Sequence, residues 1–225
     1  FVSLKQNPID LIWVSNRDDA PKSEIKKHIT KYAGIKTSEK IKNLCLRLKS
    51  FNVDSYIITQ PDAIAWLLNI RGADLKHTPI ILTRAIIFKN KKIFLFIDET
   101  RINLEIKNYF KKEIINIKIY PENKLLYVIN KIAKNKNKIL IDPNTTSYVF
   151  ANEIIKANNN NIIEKNCPIE LMKAIKNKVE IRGNIIAHIK DGVALSKFLY
   201  WIYNSKNTNN SEMLFSNKVD QLRSQ

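Results

Sequence analysis

The protein has 225 residues, 44% hydrophobic and 26% charged, which is enough apolar chain for one full core and part of another. Its formal net charge is +17, and no apolar run approaches the roughly 20 residues that span a bilayer, which excludes a membrane helix. Two cysteines, Cys45 and Cys167, are too few for a disulfide framework.

Taken in order, Phe1 to Tyr32 has little periodicity beyond Leu11-Ile12-Trp13-Val14, and Asp18-Asp19-Ala20-Pro21 opens a charged connector in which His28 stands alone. A helix is predicted from Thr37, read as its N-cap, to Ser50, with Ile41, Leu44, Cys45 and Leu48 on one face. Tyr56 to Thr59 then reads as a strand and Ala63 to Leu68 as a short helix stopped by Arg71-Gly72. A polar loop, Ala73 to Pro79, precedes two apolar runs, Ile80–Phe88 and Ile93–Ile97. Lys89-Asn90-Lys91-Lys92 between them predicts an antiparallel hairpin.

Alternation continues downstream. Helices are expected over Glu99–Phe110 (Ile102, Ile106, Tyr109 and Phe110 inward), Asn123–Lys134 (Leu126, Ile129, Ile132 and Ala133 inward) and Thr145–Lys156. Strands are expected over Ile114–Tyr120, Lys138–Ile141 and Ile162-Ile163, with a polar turn at Asn158 to Asn161. This pattern predicts a three-layer α/β fold with a mixed sheet, at residues 35–166. From Cys167 the character changes: a short helix, Pro168–Ala174, a long one, Asn177–Asn204, an Asn-rich turn, and a weaker helical pattern from Ser211 to Gln225. The long helix is apolar on two sides, Ile181, Ile185, Leu195, Leu199 and Ile202 on one and Val179, Ile186, Ile189 and Val193 on the other. It therefore requires a large covering surface, and we expect the rest of its domain to be absent.

One stretch carries a resemblance. Thr59, Asp62, Ile64-Ala65-Trp66-Leu67-Leu68-Asn69, Arg71-Gly72, Asp74, His77, Pro79 and Leu95-Phe96-Ile97-Asp98 resemble, in order, the middle domain of long-form Xaa-Pro aminopeptidases (aminopeptidase P). Lys173-Ala174-Ile175-Lys176-Asn177, Val179-Glu180-Ile181, Gly183 and Ala187 to Leu195 look like the opening helix of that family's pita-bread catalytic domain. Arg182, where the family has an acid, Asn184-Ile185-Ile186, and the lack of an Asp before Lys218 depart from the pattern. The resemblance implies three parts. Residues 1–34 end a preceding domain and connector, 35–166 form a creatinase-N-like middle domain, and 167–225 open a truncated catalytic α+β domain. The start at Phe1 rather than Met likewise suggests an excerpt.

In that family two divalent ions, typically manganese, activate a water that attacks the carbonyl before proline. The resemblance places their ligands (two Asp, one His, two Glu) beyond Gln225, so no catalytic, metal or cofactor residue is assigned here. Implied partners are the remaining domains, peptides with proline second, and a homodimer; with only Cys45 and Cys167 and no signal-peptide pattern in the first ten residues, a reducing cytoplasm is the expected location. Loop residues Arg71, Asp74 and His77 are candidates for facing substrate or another domain. The plainer reading has Asp74 pair with Arg71 or accept from backbone N–H groups. His188 and Asp191, three apart on a helix, are expected to be an interhelical or solvent-facing polar pair, because no third ligand accompanies them. Asp98 and Glu99 are read as capping the next helix, and Trp66 and Trp201 as core.

Two other readings are carried: a non-catalytic remnant or interaction module, and a basic nucleic-acid binder. The second rests on charge alone, since basic pairs such as Lys26-Lys27, Lys91-Lys92 and Lys111-Lys112 are scattered rather than clustered on one stripe.

Overall fold

A computed structural model describes residue 4 and residues 6–15, 17–114, 116–157, 161–205 and 211–225. A one-turn helix, α1 (Pro8–Ile12), leaves Leu11, Ile12, Trp13 and Val14 exposed. After β1 (Lys26–Lys27) and α2 (Thr30–Ala33) comes α3 (Thr37–Ser50), which buries Ile41, Leu44, Cys45 and Leu48. Its N-cap is Lys36 rather than Thr37; the Thr37 hydroxyl instead meets the Tyr109 hydroxyl at 2.5 Å.

β2 (Ser55–Ile58) leads into α4 (Pro61–Leu67), which Pro61, having no N–H to lose, begins. Asn69, in the left-handed region at φ 48°, turns the chain into β3 (Ile70–Arg71), which pairs antiparallel with β1. Arg71 is thus a strand residue, not the helix stop expected of it.

The hairpin forms from β4 (Arg84–Phe88) and β5 (Ile93–Phe96), with Lys91 at φ 71° in the turn; Ile80 to Thr83 lie outside the strand. The helix expected from Glu99 is two pieces. A 3-10 turn (Glu99–Arg101) is capped by Asp98, and α5 (Leu104–Glu113) by Asn103. β6 (Ile117–Tyr120), α6 (Leu125–Lys134), β7 (Ile139–Ile141), α7 (Tyr148–Ala157) and β8 (Ile162–Glu164) follow. In α6 the buried face is Leu125, Val128, Ile129, Ile132 and Ala133, while Leu126 is exposed. Thr145 and Thr146 lie before α7, folded back on the Asp142 carbonyl. Of the expected polar turn only Asn161 lies inside the described residues, and the Asn-rich turn after Asn204 falls outside them, Ser205 excepted.

Among the described residues β2 and β4 to β8 form a six-stranded sheet in the order β6-β5-β4-β2-β7-β8. β2/β4 and β4/β5 are antiparallel; β5/β6, β2/β7 and β7/β8 are parallel, so the sheet is mixed as expected. Side chains alternate between its two faces. Tyr56, Ile58, Ala85, Ile87, Ile93, Leu95 and Leu140 meet α3, α4 and α5, while Ile57, Ile86, Phe94, Phe96, Ile139 and Ile141 meet α6 and α7. Each fully buried Leu or Ile contributes about 1.5–3 kcal/mol.

Three helices close the chain: α8 (Pro168–Ala174), α9 (Lys178–Asn204) and α10 (Glu212–Arg223). α8 packs Ile169 into the first core. In α9 only Ala194 is buried, and every residue from Ile181 to Lys190 is exposed. α10 returns along the far half of α9, where Phe198, Trp201 and Phe215 cluster with ring centroids 6.1–6.2 Å apart. Trp201 is therefore half-buried between two helices, not a core residue as expected; Trp66 is core.

Candidate functional site

The end of β3 and the loop that follows it send the three candidate residues in different directions. Asp74 turns inward and pairs with Arg101, not Arg71: Arg101 Nη2 lies 2.7 and 2.6 Å from its two carboxylate oxygens. Ser23 donates to Asp74 through its backbone N–H (3.2 Å) and hydroxyl (2.5 Å), and the Leu82 N–H donates at 2.7 Å. Accepting from backbone groups was the other half of the plain reading, and it holds. Burial pushes the Asp74 pKa up, but the hydrogen bonds from Ser23, Arg101 and Leu82 outweigh it, leaving the carboxyl below its usual range. Gly72 is required beside this latch, because a Cβ would stand 2.4 Å from Ile81 Cγ1.

Arg71 tucks under α4, donating through Nη1 to the carbonyls of Ala65 (3.0 Å) and Ile70 (2.8 Å). His77, in the left-handed region at φ 64°, is exposed with Nε2 3.8 Å from Asp220 of α10. Asp74 thus has a structural task, while Arg71 and His77 face the closing helices.

A second constellation joins the sheet to α9. Lys40 is almost fully buried; its ammonium donates to the Trp66 carbonyl (3.0 Å) and Asn69 Oδ1 (2.8 Å), and lies 4.0 Å from the Trp66 ring centroid. Burial brings the Lys40 pKa down to about 8, opposed by Glu180 and assisted by Arg71. Asn69 also donates to the Ile35 carbonyl. At the edge of the ring, Trp66 Nε1 donates to Glu180 Oε1 at 3.2 Å. Glu180 Oε2 accepts the Asn177 N–H, and Asn177 Oδ1 accepts from Val179 and Glu180, a capping box at the start of α9. Asn177 Nδ2 then reaches the Ala33 carbonyl at 2.9 Å. Next to it Gly34 sits at φ 73°, with the Asn177 side chain where a Cβ would be. Lys173 of α8 pairs with Asp62 of α4 across the same junction.

The sequence contained partial signals for this joint. Asn177-x-x-Glu180 ahead of an apolar run is a capping pattern, and Lys40 falls at four-residue spacing on the Leu44/Leu48 stripe of α3. Nothing in the sequence ties either to Trp66 or Asn69, or Arg101 to Asp74. His28, read as idle, donates its backbone N–H to the Asn69 carbonyl. Its ring lines the cleft, and burial, together with Arg71 and Lys40, lowers its pKa.

Above the joint lies a cleft of about 790 Å³, with Trp66, Arg71, Glu180 and Gly183 among its lining residues. Its acids are already committed, Asp62 to Lys173 and Glu180 to Trp66 and Asn177. His188 Nδ1 faces the Asn184 carbonyl, Asp191 binds Arg223, and among the described residues no three His, Cys, Asp or Glu side chains group to hold an ion. Among the described residues no set of donors fits a dinuclear centre.

The Creatinase/Prolidase N-terminal domain family matches residues 16–180. The chain belongs to that family. Across all of its length it is 31% identical to a probable Xaa-Pro aminopeptidase P of Ajellomyces capsulatus, covering 38% of that protein. It is also 32% identical, over 98% of its length, to Xaa-Pro aminopeptidase 1 of Dictyostelium discoideum, covering 35% of it. The chain therefore spans little more than a third of these relatives. Among solved structures, 99% of the chain superimposes on 36% of the X-prolyl aminopeptidase of Caenorhabditis elegans, described as a cytosolic enzyme with a di-nuclear active site, at TM-score 0.89 and 27% identity. A Bacillus anthracis Xaa-Pro dipeptidase shares the fold over 84% of the chain and 49% of its own, at TM-score 0.56 and 19% identity. This creatinase/prolidase-type chain thus resembles the N-terminal region of Xaa-Pro aminopeptidases.

Proposed function

We propose that the chain is a non-catalytic N-terminal portion of a cytosolic, metal-dependent Xaa-Pro aminopeptidase, which scaffolds and gates the active site. In this reading residues 1–34 close a preceding domain, 35–166 are the middle domain, and 167–225 begin the catalytic one. Polypeptide outside this chain supplies the metal ligands and the hydrolytic groups, and the peptides cleaved carry proline in second position. A homodimer of the complete enzyme is compatible with this reading. Its cytosolic setting is supported by the description of the Caenorhabditis elegans relative. No helix among the described residues is long and apolar enough to cross a membrane.

One observation carries the reading. α9 is fixed at one end by the Asn177–Glu180 capping box and its bonds to Trp66 and Ala33, yet it presents Ile181, Ile185 and Ile189 to solvent. A helix anchored so firmly and left so apolar is built to carry further protein on it. The test is a chimera: the matched region of the Dictyostelium discoideum enzyme is replaced by this chain, and manganese-dependent release of alanine from an Ala-Pro peptide is measured. The chimera is expected to hydrolyse the peptide and the isolated chain to leave it intact. Hydrolysis by the isolated chain, or a folded chimera without activity, would sink the proposal.

A further inference from the structure

Beside the cleft, between α2 and the first half of α9, runs a groove of about 790 Å³ whose charged lining is entirely cationic. Lys178, Arg182, Ile186 and Lys190 succeed one another at intervals of four and form one ridge along α9. Lys31 and Tyr32 stand on the opposite wall. At Gly183 no atom lies within 4 Å of the place a Cβ would take, so the floor is open. Among the described residues none of the four cations forms an ion pair or hydrogen bond; Lys31 lies over the Tyr32 ring, 5.8 Å from its centroid. The acids next to the ridge are engaged elsewhere, Glu180 with Trp66 and Asn177, and Asp191 with Arg223.

Four uncompensated cations around an aromatic and an aliphatic surface call for an occupant that is acidic and apolar at once. A second copy of this chain is a poor fit, because each copy carries +17. From Lys178 to Lys190 the ridge is about 18 Å long at 1.5 Å per helical residue, the reach of five or six extended residues. We propose that this groove binds an acidic stretch of an extended peptide, carboxylates on the Lys178–Arg182–Lys190 ridge and apolar side chains against Tyr32, Val179 and Ile186. The choice of a peptide rests on the peptidase reading above, and it gives that reading a substrate class: peptides carrying acidic and apolar residues beyond the scissile bond.

The experiment is fluorescence anisotropy of fluorescein-labelled Ala-Pro-Gly-Glu-Leu-Glu-Leu-Glu with the full 225-residue chain at about 0.15 M salt. Lys178→Glu/Arg182→Glu is expected to raise the dissociation constant about tenfold or more. Lys42→Glu/Lys131→Glu, the same charge change at exposed positions outside the groove, should alter it by less than about twofold. Should the first double variant fail to fold, Arg182→Gln alone provides the measurement, at about threefold. Equal weakening by both doubles would reduce the binding to generic charge attraction and overturn the proposal. So would equal binding of the Gln-for-Glu peptide, or an RNA hexamer that displaces the peptide with the same dependence on Lys178 and Arg182. An active chimera whose groove fails this assay overturns the groove alone. Groove binding together with a folded, inactive chimera removes the peptidase reading instead.

Discussion

Replacing Asp74 by Asn would keep the shape of the latch and remove its charge. Arg101 is 5% exposed at its side chain and Asp74 not at all, so the guanidinium would be left buried without a counter-charge. The new amide would also aim hydrogens at groups that are themselves donors: the Ser23 and Leu82 N–H groups and Arg101. Breaking a buried pair from one side costs about 3–5 kcal/mol. Against a total stability of about 5–15 kcal/mol that is a large fraction. For a chain of this size each kcal/mol moves the melting midpoint by about 2–4 °C, so a drop of about 6–20 °C is expected in a thermal scan. Asp74→Leu/Arg101→Met, which removes both charges, should recover most of the loss, because desolvating the pair offsets much of its attraction.

The same latch has an acid signature. The folded Asp74 pKa lies below the unfolded value of about 3.9, so its contribution is present above that value and is lost as pH falls through the lower, folded one. Wild type should therefore lose stability in this acid window, while Asp74→Asn lacks that component. A loss under about 1 kcal/mol for Asp74→Asn, with an unchanged acid profile, would refute the argument that the pair holds Ser23, Leu82 and Arg101 together.

Two further substitutions probe the joint. Gly34→Ala should cost about 2–3 kcal/mol in urea unfolding, from a left-handed alanine and from displacing the Asn177 cap; a midpoint within error of wild type would contradict it. Lys40 has a folded pKa near 8, below the unfolded value of about 10.4, so the cost of burying its charge is present below pH 8 and relieved as pH rises toward 10. Lys40→Met should flatten this rise of stability with pH, and an identical slope in wild type and variant would show that Lys40 does not cause it.

The architecture was readable because it rests on periodicity. Alternating runs such as Ile57/Ile58 and Phe94/Leu95 had to face two apolar layers, and the Lys89–Lys92 turn could only close a hairpin. Boundaries were less legible wherever a polar side chain met a distant partner. Thr37 looked like a cap and instead binds Tyr109, and the helix expected from Glu99 divides where Arg101 turns in to Asp74. The candidate site followed the same rule. Arg71, Asp74 and His77 were noticed as a group from their closeness in sequence, and the fold separates them.

Residue order alone determined the layered α/β class, the mixed sheet, the long apolar helix and the family resemblance, since each depends on local spacing or on a string of matched residues. Tertiary structure alone decided that Asp74 belongs to Arg101, that Lys40 and Glu180 both meet Trp66, and that four cations of α2 and α9 share one groove. Hydrogen bonds and ion pairs act over about 3 Å in space, and the residues that make them here are 27 and 114 positions apart in sequence, while the groove gathers side chains up to 159 positions apart.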